Sequence, residues 1–308
     1  MFNGKSLLTG EPLSEKDLVI KRKFEGYEKS FDLYRCPKTG IVQTIPMPDM
    51  EELAKKEYNN SYMAYQKIDG KKTQITSSRR LRRIESNLDN KSGKRILDIG
   101  CSTGWFLKAA KERGYAVSGV EFSSYAANKA NELLGDNNVI AGTLSDANFQ
   151  PESFDIVHSN QVIEHVPDPV SFVQTQKKLL KKFGILVIGT PNMDSLSWKK
   201  LGGNWTSLQK PDHIVMFSPS SLTYLLERES FEVLNIHFTG MPALRGNRKT
   251  YIDTNINRAN SSSKNKKNKL GKFKHWILTQ PAISNLAAAL IDSLKLGDTM
   301  YVIARKKS

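Results

Sequence analysis

The stretch Arg95-Ile-Leu-Asp-Ile-Gly-Cys-Ser-Thr-Gly-Trp-Phe-Leu107 limits the folds open to this chain more than any other. Arg95 to Ile99 is an apolar run of strand length, and Gly100 to Gly104 is a tight turn of small residues. Trp105 to Arg113 reads as a helix with Phe106, Ala109 and Ala110 on one face. A strand, a glycine turn and a helix start together make a nucleotide-type site. Gly100 and Gly104 admit positive φ and close approach of a ligand, which the N–H groups of the helix start would face. The next apolar run, Ala116 to Val120, ends in Glu121, and an acid at the tip of the second strand of a doubly wound sheet grips a ribose.

A dinucleotide fingerprint would read G-x-G-x-x-G, whereas this turn is Gly-Cys-Ser-Thr-Gly, with Ser102 at its middle. Asp98, just before the turn, suits a cationic ligand better than a pyrophosphate. Leu97-Asp-Ile-Gly-Cys-Ser-Thr-Gly104 and Gly119-Val-Glu-Phe-Ser123 resemble the cofactor motifs of class I S-adenosylmethionine-dependent methyltransferases. The resemblance covers roughly residues 90–240 and the final strand. It implies an α/β, Rossmann-like fold with a seven-stranded, mostly parallel sheet whose last strand is antiparallel. It also implies S-adenosylmethionine as cofactor, held by Asp98, Gly100, Cys101, Ser102, Gly104, Glu121 and Phe122. Asp98 would lie near the methionine ammonium and Glu121 on the ribose. Leu144, after the third strand Val139–Gly142, is expected near the adenine.

A chain of 308 residues accommodates one large α/β domain with additions, and 39% hydrophobic with 25% charged residues fits a soluble globular protein. No apolar run approaches the ~20 residues of a membrane helix. The start Met1-Phe-Asn-Gly-Lys-Ser6 lacks a signal-peptide core, and two cysteines, Cys36 and Cys101, make no disulfide framework. A cytoplasmic setting is therefore expected. The net charge of +15 points to anionic partners: a phospholipid surface, nucleic acid or a phosphorylated substrate.

Residues 1–50 read as a small separate module. Its two knuckles, Leu8-Thr-Gly-Glu-Pro12 and Cys36-Pro-Lys-Thr-Gly40, resemble the zinc-ribbon-like leader of some bacterial methyltransferases. Only Cys36 remains of the cysteines, so four zinc ligands are not available and the leader would be metal-free. An unrelated β-hairpin is the alternative. Residues 51–94 read as a helical lid or linker, with Tyr58, Tyr62 and Tyr65 after a helix over 51–58. The resemblance implies that Tyr62 folds over the pocket; packing of an aromatic stripe on the core is the alternative. A basic helix follows within 71–94.

The core spans 95–239. The fourth strand, Phe154–Ser159, runs into Asn160-Gln-Val-Ile-Glu-His-Val-Pro-Asp-Pro169 at the carboxyl edge, where ligands bind in open parallel sheets. This segment resembles that of the ubiquinone-biosynthesis O-methyltransferases. Asn160 and Gln161 are candidate cofactor contacts and His165 a candidate general base, with a structural histidine as the alternative. Some relatives bind a divalent ion through Glu-x-x-Glu-His. Here Gln161 replaces the first acid, so no metal is expected. An amphipathic helix over 172–182 and a fifth strand over 183–189 precede the loop Gly203–Ser218. The Trp…His…Phe-Ser pattern in that loop resembles the same group. Trp205 and His213 are substrate-pocket candidates and His213 a rival base, though the aromatic residues also suit a loop anchor.

Residues 240–298 carry eleven basic residues against Asp253, Asp292 and Asp298, with an apolar-faced helix over 283–296. Such an insertion fits either peripheral contact with an anionic membrane or a helical cap over the pocket. Residues 299–308 close the sheet. The expected activity is methyl transfer to a hydroxyl of a small, sugar or lipid-linked acceptor. Nucleic-acid (RNA) methylation and a non-catalytic S-adenosylmethionine-binding protein are the rivals.

Overall fold

The computed structural model describes residues 4–56, 70–88, 93–240, 289–290 and 292–308. Tyr62 and nearly all of the basic insertion lie outside them. The chain opens with a hairpin of β1 (Gly4–Lys5) and β2 (Pro12–Leu13), then β3 (Leu18–Ile20), β4 (Leu33–Arg35) and β5 (Val42–Thr44). Residues 50–56 are helical, and α1 (Gly70–Glu85) is the basic helix. The organising unit follows as β6 (Arg95–Ile99), α2 (Trp105–Lys111) and β7 (Ala116–Glu121). Next come α3 (Ser124–Leu134), β8 (Val139–Ala141), β9 (Phe154–Asn160) and α4 (Pro169–Leu179). The chain continues through β10 (Leu180–Pro191), α5 (Leu196–Leu201), β11 (Val215–Met216), α6 (Pro219–Arg228), β12 (Phe231–Thr239) and β13 (Thr299–Lys306).

The large sheet runs β12-β13-β10-β9-β6-β7-β8. Strands β6 to β10 pair in parallel, and β13 is antiparallel to both β10 and β12, so the expected seven-stranded sheet with its reversed last strand is present. Its central strands are buried on both faces, as sandwiched parallel strands must be: Ile96, Leu97, Ile156, Val157, Leu186, Val187 and Ile188 are fully enclosed. Each such side chain contributes about 1.5–3 kcal/mol by leaving water.

Local chemistry sets the helix ends. Ser123 caps α3, its hydroxyl accepting from Ala126 N at 3.2 Å, and Gly135 ends that helix at φ 73°. Helix α4 starts at Pro169 with Asp168 accepting from Val170 and Ser171 N–H, three residues before the expected start. It stops at Leu179 because Leu180 already pairs with Phe154; an irregularity between Leu180 and Ile185 takes up the chain that periodicity placed at the helix end.

A second, four-stranded sheet runs β11-β5-β4-β3. Three of its strands lie within residues 18–44, and the fourth is Val215–Met216, from the loop after β10. Met216 pairs with Val42, and Val215 with Gln43. Residues 18–44 are thereby stitched to the loop that carries His213.

Candidate functional site

The carboxyl ends of β6, β7 and β9 open into a cavity of about 550 Å³, with a second of about 520 Å³ adjoining it. Gly100, Phe122, Val162, His165 and Asp212 line both.

The turn after β6 is held by its own backbone. Gly100 N and Cys101 N donate to Val120 O at 2.8 and 3.2 Å, and Gly104 N to Cys101 O at 3.1 Å. Ser102 N donates to Glu121 Oε2 at 2.9 Å, while Ser123 N holds Oε1 at 3.0 Å. The N–H groups of Gly100, Cys101, Ser102 and Gly104 are thus spent on the strand end, the turn and Glu121. Burial pushes the Glu121 carboxyl up against the lowering effect of the backbone N–H groups of Ser123, Ser102 and Phe122. Gly100 and Gly104 stand at φ 70° and 81°. A Cβ at Gly104 would lie 2.8 Å from that of Ala130, so close packing of the turn on α3 requires glycine there.

Behind the turn lies a buried polar relay of which the sequence showed only one member. Asp98 and His158 are cross-strand partners in β6 and β9, and His158 Nδ1 donates to Asp98 Oδ1 at 2.6 Å. The other ring nitrogen lies 3.2 Å from Arg80 Nη1, and Arg80 Nη2 donates to Tyr301 Oη at 2.9 Å. Because a guanidinium only donates, His158 Nε2 accepts and the proton sits on Nδ1. Burial, opposed by Asp98, lowers the His158 pKa, which keeps the ring neutral. Its ring stacks on Phe106 with centroids 3.9 Å apart. Arg80, from α1, therefore enters the same cavity as Asp98 with an orientation fixed by two elements of the core.

At the far end, His165 Nδ1 lies 2.9 Å from Asp212 O and 3.3 Å from Asp212 Oδ2. A carbonyl only accepts, so Nδ1 carries the proton and Nε2 is left with its lone pair. The His213 ring stands edge-on to that of His165 at 4.8 Å. Burial lowers the His165 pKa, and burial with the His165 and Lys210 charges drives His213 well below its ordinary value. Glu164, fully buried, accepts from Thr190 Oγ1 at 3.0 Å; burial raises its pKa to about 8. Glu164, His165 and His213 bring their donor atoms within 4.8 Å of one another, and Gln161 is not among them. A divalent ion there would have to displace the Glu164 proton. At neutral pH the trio is a cluster of uncharged groups.

Asp98, Gly100, Cys101, Ser102, Glu121, Phe122, Asn160, Gln161, His165 and His213 all line the larger cavity, and Leu144 the second; Gly104 lies in the turn behind them. Trp205 does not join them. Its ring is fully buried among Leu33, Val42, Met193, Leu208 and Met216, and Nε1 donates to Asp298 Oδ2 at 3.2 Å. The expected substrate contact is corrected to an anchor, as a large ring with a polar edge serves when both are satisfied inside. Arg80, His158, Lys210 and Asp212 also line the cavity and were not singled out by sequence.

Strand order, reversed last strand and an acid at the tip of β7, held by the turn after β6, together define a class I S-adenosylmethionine-dependent methyltransferase. The chain belongs to the methyltransferase-domain family, whose model matches residues 72–236. A ubiquinone biosynthesis O-methyltransferase of Idiomarina loihiensis is 30% identical over 193 residues, which cover 58% of this chain and 78% of that protein. Its counterpart in Glaesserella parasuis is 28% identical over 188 residues, covering 55% and 80%. The fold is shared with a crystal structure of an S-adenosylmethionine-dependent methyltransferase from Archaeoglobus fulgidus, at a TM-score of 0.51 and 20% identity, covering 82% of this chain and all of the other.

Proposed function

We propose that the enzyme methylates a hydroxyl of a small, sugar or lipid-linked acceptor, with His165 as the general base. The observation that carries this reading is the His165–Asp212 pair. The Asp212 carbonyl fixes the proton on Nδ1 and so presents a basic Nε2 at a cavity wall. The names of the two relatives support oxygen as the acceptor atom.

S-adenosylmethionine supplies an electrophilic methyl on a sulfonium. In this reading Glu121 receives the ribose hydroxyls, with its carboxylate already aimed by Ser102 and Ser123. Asp98 and Arg80 meet the ammonium and carboxylate of the methionine end. Phe122 and Leu144 offer apolar surface to the adenine in the second cavity. Turnover would then rest on this pocket holding the acceptor oxygen against the methyl, with His165 Nε2 taking the hydroxyl proton as the oxygen–methyl bond forms and the methyl–sulfur bond breaks to leave a neutral thioether.

Calorimetric titration with S-adenosylmethionine, on the protein as it is and on Glu121→Ala, tests the cofactor assignment. The expected loss is about 1–3 kcal/mol, the scale of a charged hydrogen bond. A screen of phenolic, sugar and lipid-linked hydroxyls with methyl-labelled cofactor, run beside His165→Asn, tests the base. An active enzyme whose turnover survives that substitution would sink the assignment.

A further inference from the structure

We infer that Arg22, in the N-terminal part of the chain, is a positioning residue for the acceptor end of the pocket. It fixes the Leu208–His213 segment and, through it, the His165–Asp212 pair. The inference rests on the reading of His165 as the base.

Arg22 is only 5% exposed, and all five of its side-chain N–H groups find acceptors. Nε donates to Phe31 O at 2.9 Å and Nη2 to Thr44 Oγ1 at 3.2 Å, both in its own module. The other three bonds cross to the loop: Nη1 to Leu208 O at 3.3 Å and Lys210 O at 3.4 Å, and Nη2 to His213 O at 3.2 Å. A segment that turns three peptide carbonyls inward needs a planar array of donors to meet them, and among side chains only a guanidinium supplies one.

The segment is also pinned beyond Arg22. Thr44 N donates to Ile214 O at 2.8 Å, and Ile214 N donates to Glu164 O at 3.0 Å. Between these fastenings sits the Asp212 carbonyl that receives His165 Nδ1. Arg22 lines neither cavity, so a change there reaches His165 through the loop, and through His213, whose ring feels the Arg22 charge. The carboxylates of Asp32 and Asp212 lie close enough to offset its charge, and Asp32 Oδ1 accepts from the Arg22 backbone N–H at 3.2 Å. An N-terminal module without zinc ligands thus has work at the active site. It is the outer half of a clamp.

The test uses the full chain and the imidazole signals of its five histidines, followed by NMR through a pH titration, in the unchanged protein, Arg22→Ala and Arg22→Lys. His165 faces Asp212, Lys210, Glu164 and His213, and His213 faces His165, Lys210 and Arg22 itself. Losing Arg22 admits water and removes a positive charge, so both midpoints should move up toward the ordinary value of ~6.5. His158, held by Asp98 and Arg80, should not move. Amide exchange across 208–214 should rise by roughly tenfold or more, while that of 95–107 stays unchanged.

Arg22→Lys keeps the charge, so its shift should run the same way and be smaller; what it reads is the lost hydrogen bonding alone, because an ammonium does not span three carbonyls and Thr44. Millimolar guanidinium should restore the midpoints of Arg22→Ala. Unmoved His165 and His213 in either folded variant would overturn the inference, as would an equal shift at His158, which would signify general loosening. If Arg22→Ala does not fold, Arg22→Lys decides. None of these readouts needs an acceptor. Failure of His165→Asn to lower turnover would remove the base assignment and leave the Arg22 result intact.

Discussion

Asp98 and His158 face each other across neighbouring parallel strands, joined by a 2.6 Å bond from imidazole Nδ1 to carboxylate Oδ1. The pair is buried behind the cofactor turn, and its outer nitrogen receives Arg80. One oxygen of Asp98 is thereby committed and its carboxylate plane set before any ligand arrives. The guanidinium of Arg80, braced also by Tyr301, is set by the same contacts. Opposite charges at fixed positions are what a zwitterionic amino-acid end requires.

Arg80→Met should therefore weaken S-adenosylmethionine binding by about 10- to 100-fold, equivalent to ~1.5–3 kcal/mol for a hydrogen bond to a charged group. Arg80→Lys should fall between, since a lysine keeps charge and loses the planar fork. Calorimetry on both variants checks this. Affinity within twofold of the original would assign Arg80 to bracing His158 alone.

Ser102 sits at φ 51°, in the left-handed region, and its buried hydroxyl has no hydrogen-bond partner among the described residues. Ser102→Gly should stabilise the protein by roughly 0.5–1 kcal/mol, as relief of backbone strain outweighs the added freedom of the unfolded chain. Urea denaturation measures this. If the hydroxyl also meets the cofactor, the same variant binds S-adenosylmethionine less tightly. The stability gain and the binding loss would then separate in one protein.

Glu164 gives a pH signature. Its folded pKa of about 8 lies above the unfolded value near ~4.3, so the native state holds a proton that the unfolded state releases. Stability from this group is complete below the unfolded value and is lost as pH rises through about 8. His165 and His213, both lowered by burial, act the other way and lose stability as pH falls below ~6.5. Between pH ~6.5 and about 8 those two histidines no longer oppose the Glu164 slope, and Glu164→Gln should flatten the thermal midpoint across that window relative to the original protein. Parallel curves for the two proteins would contradict the buried, protonated assignment.

Much of this was legible because period and punctuation are local. Ile96, Leu97, Ile99 and the glycines of the turn announce a strand and its exit, and Glu121 announces the second strand's end. His158 was not legible because its meaning is a register. It lies in an apolar strand, and only the pairing of β6 with β9 shows that it faces Asp98. Arg80 was hidden among Arg79, Arg82 and Arg83, where helix phase alone separates the residue that enters the cavity from its neighbours. Trp205 misled for a physical reason: a ring with one polar edge suits a pocket wall and a buried anchor equally, and Asp298, far along the chain, decides between them. Val215–Met216 was too short a run to read as a strand, and its pairing with Val42 and Gln43 is set by tertiary contact.

That borrowed strand has a consequence for the order of events during synthesis. A chain emerging from the ribosome presents β3, β4 and β5 early, yet their sheet lacks its fourth member until residue 216 has followed. Until then one edge of β5 is bare, and Arg22 has none of its three loop carbonyls to meet. This early-made sheet is therefore finished late, and its completion coincides with the moment His165 and His213 reach their places.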